Sequence, residues 1–148
     1  MKEEIKERII KHLNFMEEEM KDYSLFKNLK WETYKMERSK RRDVERWIEN
    51  LINSVIDISK LIITAEGVIL PETYKEIVLS LSLFEKFFDK KEIEEISKWV
   101  KLRNIITHEY LDIKWKHIKN FIDGTETLFH KFVERVKTYL KSRLRTRG

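Results

Sequence analysis

The sequence contains no cysteine, one proline and three glycines among its 148 residues. The absence of cysteine excludes disulfide scaffolds, cysteine-ligated zinc or iron–sulfur sites, and thiol nucleophiles. The scarcity of proline and glycine leaves too few turn residues for a β-sandwich or a doubly wound sheet. No apolar run approaches the length of a membrane span, and the first residues lack the apolar core of a secretory signal. We therefore expect a helical protein of the cytoplasm, without membrane contact.

Hydrophobic residues make up 41% of the chain and charged residues 39%, which is typical of a globular protein with a heavily charged surface. The length suffices for one domain with a sizeable core. No internal repeat, low-complexity tract or flexible linker marks a boundary within it. We therefore expect one helical domain over 1–148, with an N-terminal helix and connection at 1–37, a core bundle at 38–136 and a basic end at 137–148.

Apolar residues recur at intervals of three and four along most of the chain, which predicts amphipathic helices. The expected helices share this periodicity. Four of them span 2–21, 39–66, 72–88 and 113–142, and another begins near Glu92 and carries Ile93, Ile96, Val100 and Ile106. Ser39 is the predicted N-cap of the second helix, 22–38 a less regular connection with one helical turn, and 89–91 a polar turn. The predicted fold is all-α, an up-and-down bundle of four long helices with additional short ones.

The net charge of +5 is concentrated at the C-terminal end of the chain. The basic residues of this end, which has no acidic residue, are Lys137, Lys141, Arg143, Arg145 and Arg147. Without these five, 26 of the 31 basic residues remain against 26 acidic ones, so residues 1–136 are neutral overall. Such a segment can contact RNA phosphates. It can equally be a solvated helix end, where the helix dipole favours cations.

Several familiar site motifs are missing. The sequence has no glycine-rich phosphate loop, no Ser-centred elbow between glycines and no paired-histidine zinc motif. His12, His117 and His130 stand alone, without a second histidine one helical turn away. We therefore predict no metal site from these histidines.

Residues 101–110 differ from the rest because they concentrate hydrogen-bonding and titrating side chains at the end of an apolar helix. Asn104 and His108 are one turn apart on such a helix, so the amide can orient the imidazole. Arg103 and Tyr110 are two turns apart, on a face that adjoins the face of Asn104 and His108. Arg103 and His108 are offset by about 140° around the axis, too far to converge from one helix. In a two-fold dimer, each half-site would be completed by its symmetry mate.

The pair Arg103 and His108 suits RNA cleavage without a metal ion. Histidine, with an unperturbed pKa of about 6.5, takes up and returns protons near neutrality. Arginine offers a planar fork for phosphate oxygens. We predict that His108 is the general base on the ribose 2′-hydroxyl and that Arg103 stabilises charge on the phosphorus oxygens, which gives a 2′,3′-cyclic phosphate. The alternative is that Arg103, His108 and Tyr110 only cap the helix end.

The motif Arg-Asn-x-x-x-His-x-Tyr at 103–110 resembles that of HEPN-domain proteins, and it is most similar to the HepT toxin branch. Residues 42–60, with the pair Glu45-Arg46, resemble the long second helix of that family. The connection at 69–74 resembles its Pro-x-x-Tyr segment. The likeness covers roughly residues 38–136.

This resemblance implies a HEPN-like homodimer that acts as a metal-independent endoribonuclease toxin of a type II-like toxin–antitoxin pair. It implies a catalytic pair, Arg103 and His108, with Asn104 supporting the site between the protomers. Tyr110 would match the tyrosine that the antitoxin, a minimal nucleotidyltransferase of the MntA type, modifies with AMP. ATP is then the partner's substrate, and the toxin itself needs no cofactor.

Two other classes of function stay open from the sequence. A helical companion of a nucleotidyltransferase would position nucleotide or partner without cutting RNA. A purely structural helical dimer would show only stability effects when Arg103 or His108 is replaced. Cleavage that depends on both residues distinguishes the enzyme from these alternatives.

Overall fold

The computed structural model describes the backbone of residues 1–145 and the side chains through Arg143. Within this range the chain forms nine α-helices and one 3-10 turn, with no strand, which confirms the predicted all-α fold. The helices are α1 (Glu3–Met20), α2 (Tyr23–Phe26), α3 (Trp31–Met36), α4 (Arg38–Ala65), α5 (Tyr74–Leu79), α6 (Lys90–Trp99), α7 (Leu102–His108), α8 (Leu111–Gly124) and α9 (Glu126–Arg145). Over residues 1–145, none of them combines the length and the apolar character needed to cross a membrane.

Helix α4 lies at the centre of the fold because its apolar residues face neighbours on several sides. Helix α1 packs along it, and α3, α5 and α7 also contact it. Trp47 of α4 is buried and donates from Nε1 to the carbonyl oxygen of Glu19 in α1, at 2.7 Å. On the other side, α9 contacts α1, α6 and α8. The helices thus enclose one apolar core that includes residues from α1 to α9.

The structure corrects two details of the N-terminal half, although α1 and α4 begin and end within one residue of the predicted bounds. Ser39 is not the N-cap of α4. That position belongs to Glu37, whose side chain makes no capping hydrogen bond. The connection at 22–38 holds two short helices, α2 and α3, where one turn was predicted.

The predicted helix 72–88 is wrong in its second half. Helix α5 ends at Leu79, and the chain continues as a 3-10 turn at Ser80–Leu83 whose C-cap is Phe84. Beyond it the chain turns, because the backbone N–H groups of Phe87 and Phe88 both donate to the carbonyl oxygen of Phe84, at 2.9 and 3.0 Å, and both rings are buried. The predicted polar turn at 89–91 begins α6 instead, because the Asp89 carboxylate accepts from the backbone N–H of Glu92 at 3.1 Å.

The predicted fourth helix is divided after Trp99. Backbone N–H groups of Arg103 and Asn104 bond to carbonyl oxygens three residues earlier rather than four. Val100 and Leu102 are both buried, yet two residues correspond to about 200° on a regular helix. The tightened step between α6 and α7 lets both side chains reach the core, and it sets the orientation of α7.

The predicted fifth helix is divided at Thr125. The buried Thr125 hydroxyl donates to the carbonyl oxygen of Phe121 at 2.6 Å, and the Tyr23 hydroxyl lies 2.6 Å from the same Thr125 oxygen. A threonine hydroxyl that bonds back to the preceding turn bends a helix. The break between α8 and α9 is therefore fixed by a buried hydrogen-bonded pair, with Gly124 beside it.

Two glycines make a matched pair for a stability test. Gly67 has φ +73°, and with Val68 it ends α4 through N–H groups that donate to Thr64 and Ile63 carbonyls at 3.1 Å. We expect Gly67→Ala to lower the free energy of unfolding by about 1 kcal/mol, because alanine is strained at positive φ. Gly124 lies in a helix, and a Cβ there meets nothing within 4 Å.

Gly124→Ala is expected to leave the stability unchanged or to raise it by up to about 1 kcal/mol. Thermal unfolding of the two variants beside the unaltered protein measures both effects. A stabilising Gly67→Ala would contradict the assignment of Gly67 as the αL residue of this helix end.

Candidate functional site

Helix α7 carries the residues that the sequence singled out. It is seven residues long and is held by the buried side chains of Leu102 and Ile106. Arg103 is half-buried, whereas Asn104, Thr107 and His108 are exposed. The Thr107 hydroxyl donates to the Arg103 carbonyl oxygen at 2.9 Å. The core thus fixes one side of α7 and leaves the polar side open.

A cavity of about 610 Å³ lies beside this polar side. Arg103, Asn104 and Thr107 line it from α7, and Glu49 and Asn53 line it from α4. The end of α6 and the beginning of α5 form its other walls. The structure therefore brings two of the predicted site residues, Arg103 and Asn104, to one cavity.

The cavity is positively charged overall. Its lining includes four cations, Lys75, Lys98, Lys101 and Arg103, against two carboxylates, Glu49 and Glu72, which gives a net charge of +2. The lysines come from α5, from α6 and from the step between α6 and α7. Converging cations of this kind attract phosphate.

His108 and Tyr110 take positions different from those of a continuous helix. His108 is the last residue of α7 and does not line the cavity that holds Arg103. Glu109 and Tyr110 are extended, with Tyr110 as N-cap of α8 and 81% exposed. The expected placement of Tyr110 two helical turns from Arg103 is therefore wrong.

The reason for this turn is the apolar spacing. Ile106 and Leu111 both pack against the core, yet five residues on one helix would place them about 140° apart. A short helix that packs on one side does not bring both to the core, and here the chain leaves the helix between them and α8 starts in a new direction.

The N-terminal end of α8, next to Tyr110, is fixed by Glu45 of α4. This carboxylate accepts from the Tyr34 hydroxyl at 2.6 Å and lies 3.7 Å from the Lys114 ammonium. Burial, together with the hydrogen bond to Glu45, raises the pKa of Tyr34 well above its ordinary value. Tyr34 therefore stays a neutral donor, and α3, α4 and α8 are held together at the site. Arg46, the other member of the Glu45-Arg46 pair, is exposed.

The basic C-terminal end is a helix end rather than a free tail as far as Arg143, because Tyr139 and Leu140 are buried. Lys137 lies 3.2 Å from a Glu17 oxygen, and Arg143 binds the Glu66 carboxylate. Lys141 is exposed. The predicted RNA contacts Arg145 and Arg147 lie outside the described side chains. Contact between these five residues and RNA stays a prediction.

Glu66 connects this end to α4. Its carboxylate accepts from the Tyr139 hydroxyl at 2.7 Å and from Arg143 Nε at 2.9 Å. Burial opposes ionisation of Glu66, but the hydrogen bonds from Arg143 and Tyr139 outweigh it and lower the pKa of the carboxyl below its ordinary value. Burial, together with the hydrogen bond to Glu66, raises the pKa of the Tyr139 phenol.

This contact predicts an acid-dependent loss of stability. A carboxyl whose pKa is lower in the folded protein stabilises fully above the unfolded-state pKa of about 4.3, and the contribution is lost as the pH falls below it. We expect Glu66→Gln to lower the unfolding free energy by about 1–2 kcal/mol at pH 7 and by less near pH 3. Melting curves between pH 7 and 3 measure the difference.

The control is Glu134→Gln, because the Glu134 side chain is 74% exposed and its ion pair with Lys137 contributes little. It should change stability far less than Glu66→Gln at pH 7. Parallel pH profiles for the unaltered protein and Glu66→Gln would contradict the role of Glu66.

No group of three or more histidine, aspartate or glutamate side chains among the described residues is arranged to hold a metal ion. Residues that the sequence did not single out as functional do line the cavity. They are Lys75, Lys98 and Lys101, together with Tyr74, whose ring lies against Arg103. Lys75 is distant from the motif along the chain, Lys98 and Lys101 precede the motif without belonging to it, and for Tyr74 the only signal was its place in the Pro-x-x-Tyr connection.

Comparison with known proteins adds to this geometry. The family model described as "Ribonuclease HepT-like" matches residues 5–136. A solved structure of a tri-AMPylated HEPN toxin from Shewanella oneidensis, in complex with an MNT antitoxin, shares the fold. The TM-score is 0.75 at 17% identity, over 93% of this chain and 99% of that one. No curated protein matches the sequence.

The structural match shows the same arrangement of helices at a sequence identity too low to carry function. The family match is the stronger finding because it extends over most of the sequence, including α7 and the motif at 103–110. The chain therefore belongs to the HepT-like ribonuclease family.

Proposed function

We propose that this chain is the toxin of a toxin–antitoxin pair of the MNT/HEPN kind and that it is a metal-independent endoribonuclease. The catalytic residues are Arg103 and His108, with Asn104 supporting the site. The active form is a homodimer, in which Arg103 of one protomer works with His108 of the other.

The proposed reaction is transesterification within the RNA chain. His108 takes the proton of a ribose 2′-hydroxyl, and the 2′-oxygen attacks the adjacent phosphorus. The bond from phosphorus to the 5′-oxygen breaks, and that oxygen takes up a proton. Arg103 donates hydrogen bonds to the non-bridging oxygens, whose negative charge increases in the transition state. The products are a 2′,3′-cyclic phosphate and a 5′-hydroxyl.

The observation that carries this proposal is the cationic cavity that contains Arg103 and Asn104. A net charge of +2 at a cavity of about 610 Å³ suits an RNA backbone better than a neutral ligand. His108 lies outside this cavity and is exposed at the end of the same short helix. That arrangement favours a site shared between two protomers over one completed within a single chain.

The proposed partner is a minimal nucleotidyltransferase antitoxin, which transfers AMP from ATP to Tyr110. Two findings support it: the fold shared with a HEPN toxin bound to an MNT antitoxin, and the 81% exposure of Tyr110. An adenylyl group adds a bulky anion two residues from His108. It would repel an RNA backbone at this position.

The test is an RNA cleavage assay in EDTA with protein whose intact mass shows no modification. We expect cleavage of RNA, 2′,3′-cyclic phosphate ends on the products, and no cleavage of DNA of the same sequence, because DNA lacks the attacking hydroxyl. A wild-type protein that cuts no RNA on a broad panel, or that cuts only with added metal, would overturn the proposal. Nucleotide binding without cleavage would favour the non-catalytic companion instead.

A further inference from the structure

The Arg103 guanidinium is held in an unusual way for a half-buried arginine. Among the described side chains, the other half-buried arginines are hydrogen-bonded, Arg41 to the carbonyl oxygens of Tyr34 and Lys35 and Arg143 to Glu66. The Arg103 guanidinium forms no hydrogen bond or ion pair with any described residue. Its contact is the face of the Tyr74 ring, whose centroid lies 5.0 Å from Cζ.

This kind of contact has a chemical consequence. A carboxylate partner would occupy two of the guanidinium N–H donors and neutralise the charge. An aromatic face attracts the cation through the ring quadrupole and takes up none of the five donors. The ring therefore holds Arg103 in place while its charge and its hydrogen-bond donors stay available to a phosphate.

Tyr74 itself is well placed for this task. It is the first residue of α5, and the Thr73 hydroxyl caps this helix by accepting from the Glu76 N–H at 3.2 Å. The buried residues Ile77 and Val78 anchor α5, which contacts α4. Lys60 of α4 also lies over the ring, with Nζ 4.9 Å from the centroid. The ring thus joins α4, α5 and α7 at the cavity.

We propose that Tyr74 is a positioning residue that orients the Arg103 guanidinium toward an RNA phosphate through its ring face. The inference rests on the proposed ribonuclease function and adds a residue to it. Because the ring face makes the contact, phenylalanine at this position retains the function and alanine loses it.

Steady-state cleavage kinetics test this role. We expect Tyr74→Ala to lower kcat about tenfold with a smaller change in KM, because Arg103 acts on the transition state and a misplaced guanidinium loses most of its effect. Tyr74→Phe should cleave at close to the wild-type rate. In an Arg103→Ala background, Tyr74→Ala should cause no further loss, because its effect passes through Arg103.

A matched control is Phe15→Ala, which removes an aromatic side chain of similar exposure, 45% against 46%, on α1. It should leave kcat unchanged. An increase in KM at constant kcat for Tyr74→Ala would overturn the proposal, since it indicates that the ring stacks on an RNA base instead. A further loss in the Arg103→Ala background would overturn it as well.

A second measurement does not depend on cleavage. The ¹⁵Nε–H resonance of Arg103, assigned by its disappearance in Arg103→Lys, should be shifted by the ring in the wild type and in Tyr74→Phe. It should move to the position of a solvated arginine in Tyr74→Ala. If the wild type cleaves RNA and the Arg103 resonance is the same in Tyr74→Ala as in the wild type, only the role of Tyr74 is overturned. The expected shift in a protein that cuts no RNA overturns the ribonuclease function, and with it the role of Tyr74 in catalysis.

Discussion

Replacing His108 by alanine should lower the rate of RNA cleavage by about 10²–10⁴-fold, the usual contribution of a general base. Replacing Arg103 by alanine should cost a comparable factor, because it removes the main cation at the developing charge. His108 is exposed and Arg103 is half-buried without an ion pair among the described residues, so neither change removes a core contact. Cleavage rates, with melting temperature and dimer mass as controls, measure the effect.

Mixing the two inactive variants tests whether the site is shared. If Arg103 of one protomer works with His108 of the other, a heterodimer of Arg103→Ala and His108→Ala contains one intact site. Random exchange at equal concentrations makes half of the dimers mixed, so we expect recovery of about one quarter of the wild-type activity. Each variant alone should stay inactive.

Recovery also has a matched negative control. A protein that carries both substitutions, exchanged with either single variant, cannot form an intact site and should give no recovery. Full exchange of subunits without recovered cleavage would contradict the shared site and would place Arg103 and His108 in one protomer.

The second large effect concerns Tyr110. With the nucleotidyltransferase partner and ATP, we expect the wild type to gain AMP and to lose its cleavage activity. Tyr110→Phe should gain no AMP and should keep the activity it had before the partner was added. The structure favours this comparison because Tyr110 is exposed and its hydroxyl makes no hydrogen bond with a described residue. Intact mass and cleavage rate, measured on the same samples, follow both events.

The control for this experiment is Tyr74→Phe, which removes the other exposed tyrosine. Tyr23, Tyr34 and Tyr139 are buried and are not accessible to a modifying enzyme. Tyr74→Phe should gain AMP as the wild type does. Modification of Tyr110→Phe, or inactivation of it by the partner with ATP, would show that another residue is the target.

The long helices were predictable because their apolar residues keep one period over many turns. Helix α4 shows this best, with Val44, Ile48, Leu51, Val55, Ile58 and Ile62 buried along its length. The predicted bounds of α1 and α4 hold within one residue for the same reason. At Gly67 the local residue type also matched the backbone, since glycine accepts the positive φ that ends α4.

The breaks within the other helices were not predictable from the period alone. Val100 and Leu102, and then Ile106 and Leu111, lie about 200° and 140° apart on a regular helix, so a single apolar stripe does not contain both members of either pair. Periodicity alone therefore does not predict that both members of such a pair contact the core. Packing of these residues against neighbouring helices accompanies a change of direction between α6 and α7 and again between α7 and α8.

The candidate site likewise contains residues that the sequence predicts and residues that only the packing of the helices brings to it. Arg103, Asn104, His108 and Tyr110 are close in sequence, so a motif shows them. Tyr74 and the lysines 75, 98 and 101 reach the cavity from α5, α6 and the step before α7. Tyr74 and Lys75 are distant from Arg103 in sequence, so local spacing contains no information about their place beside it. Lys98 and Lys101 are near Arg103 in sequence, but their place in the cavity depends on the break between α6 and α7.

The sequence by itself therefore determined the helical class, the central helices and the residue types of a candidate phosphate-cleaving site. Those features depend on local periodicity and on the chemistry of single side chains. Only the tertiary structure decided that α7 is a separate short helix, that Tyr110 leaves it, and that the Tyr74 ring lies against Arg103. These depend on packing between distant segments, where burial of apolar surface outweighs the continuity of any one helix.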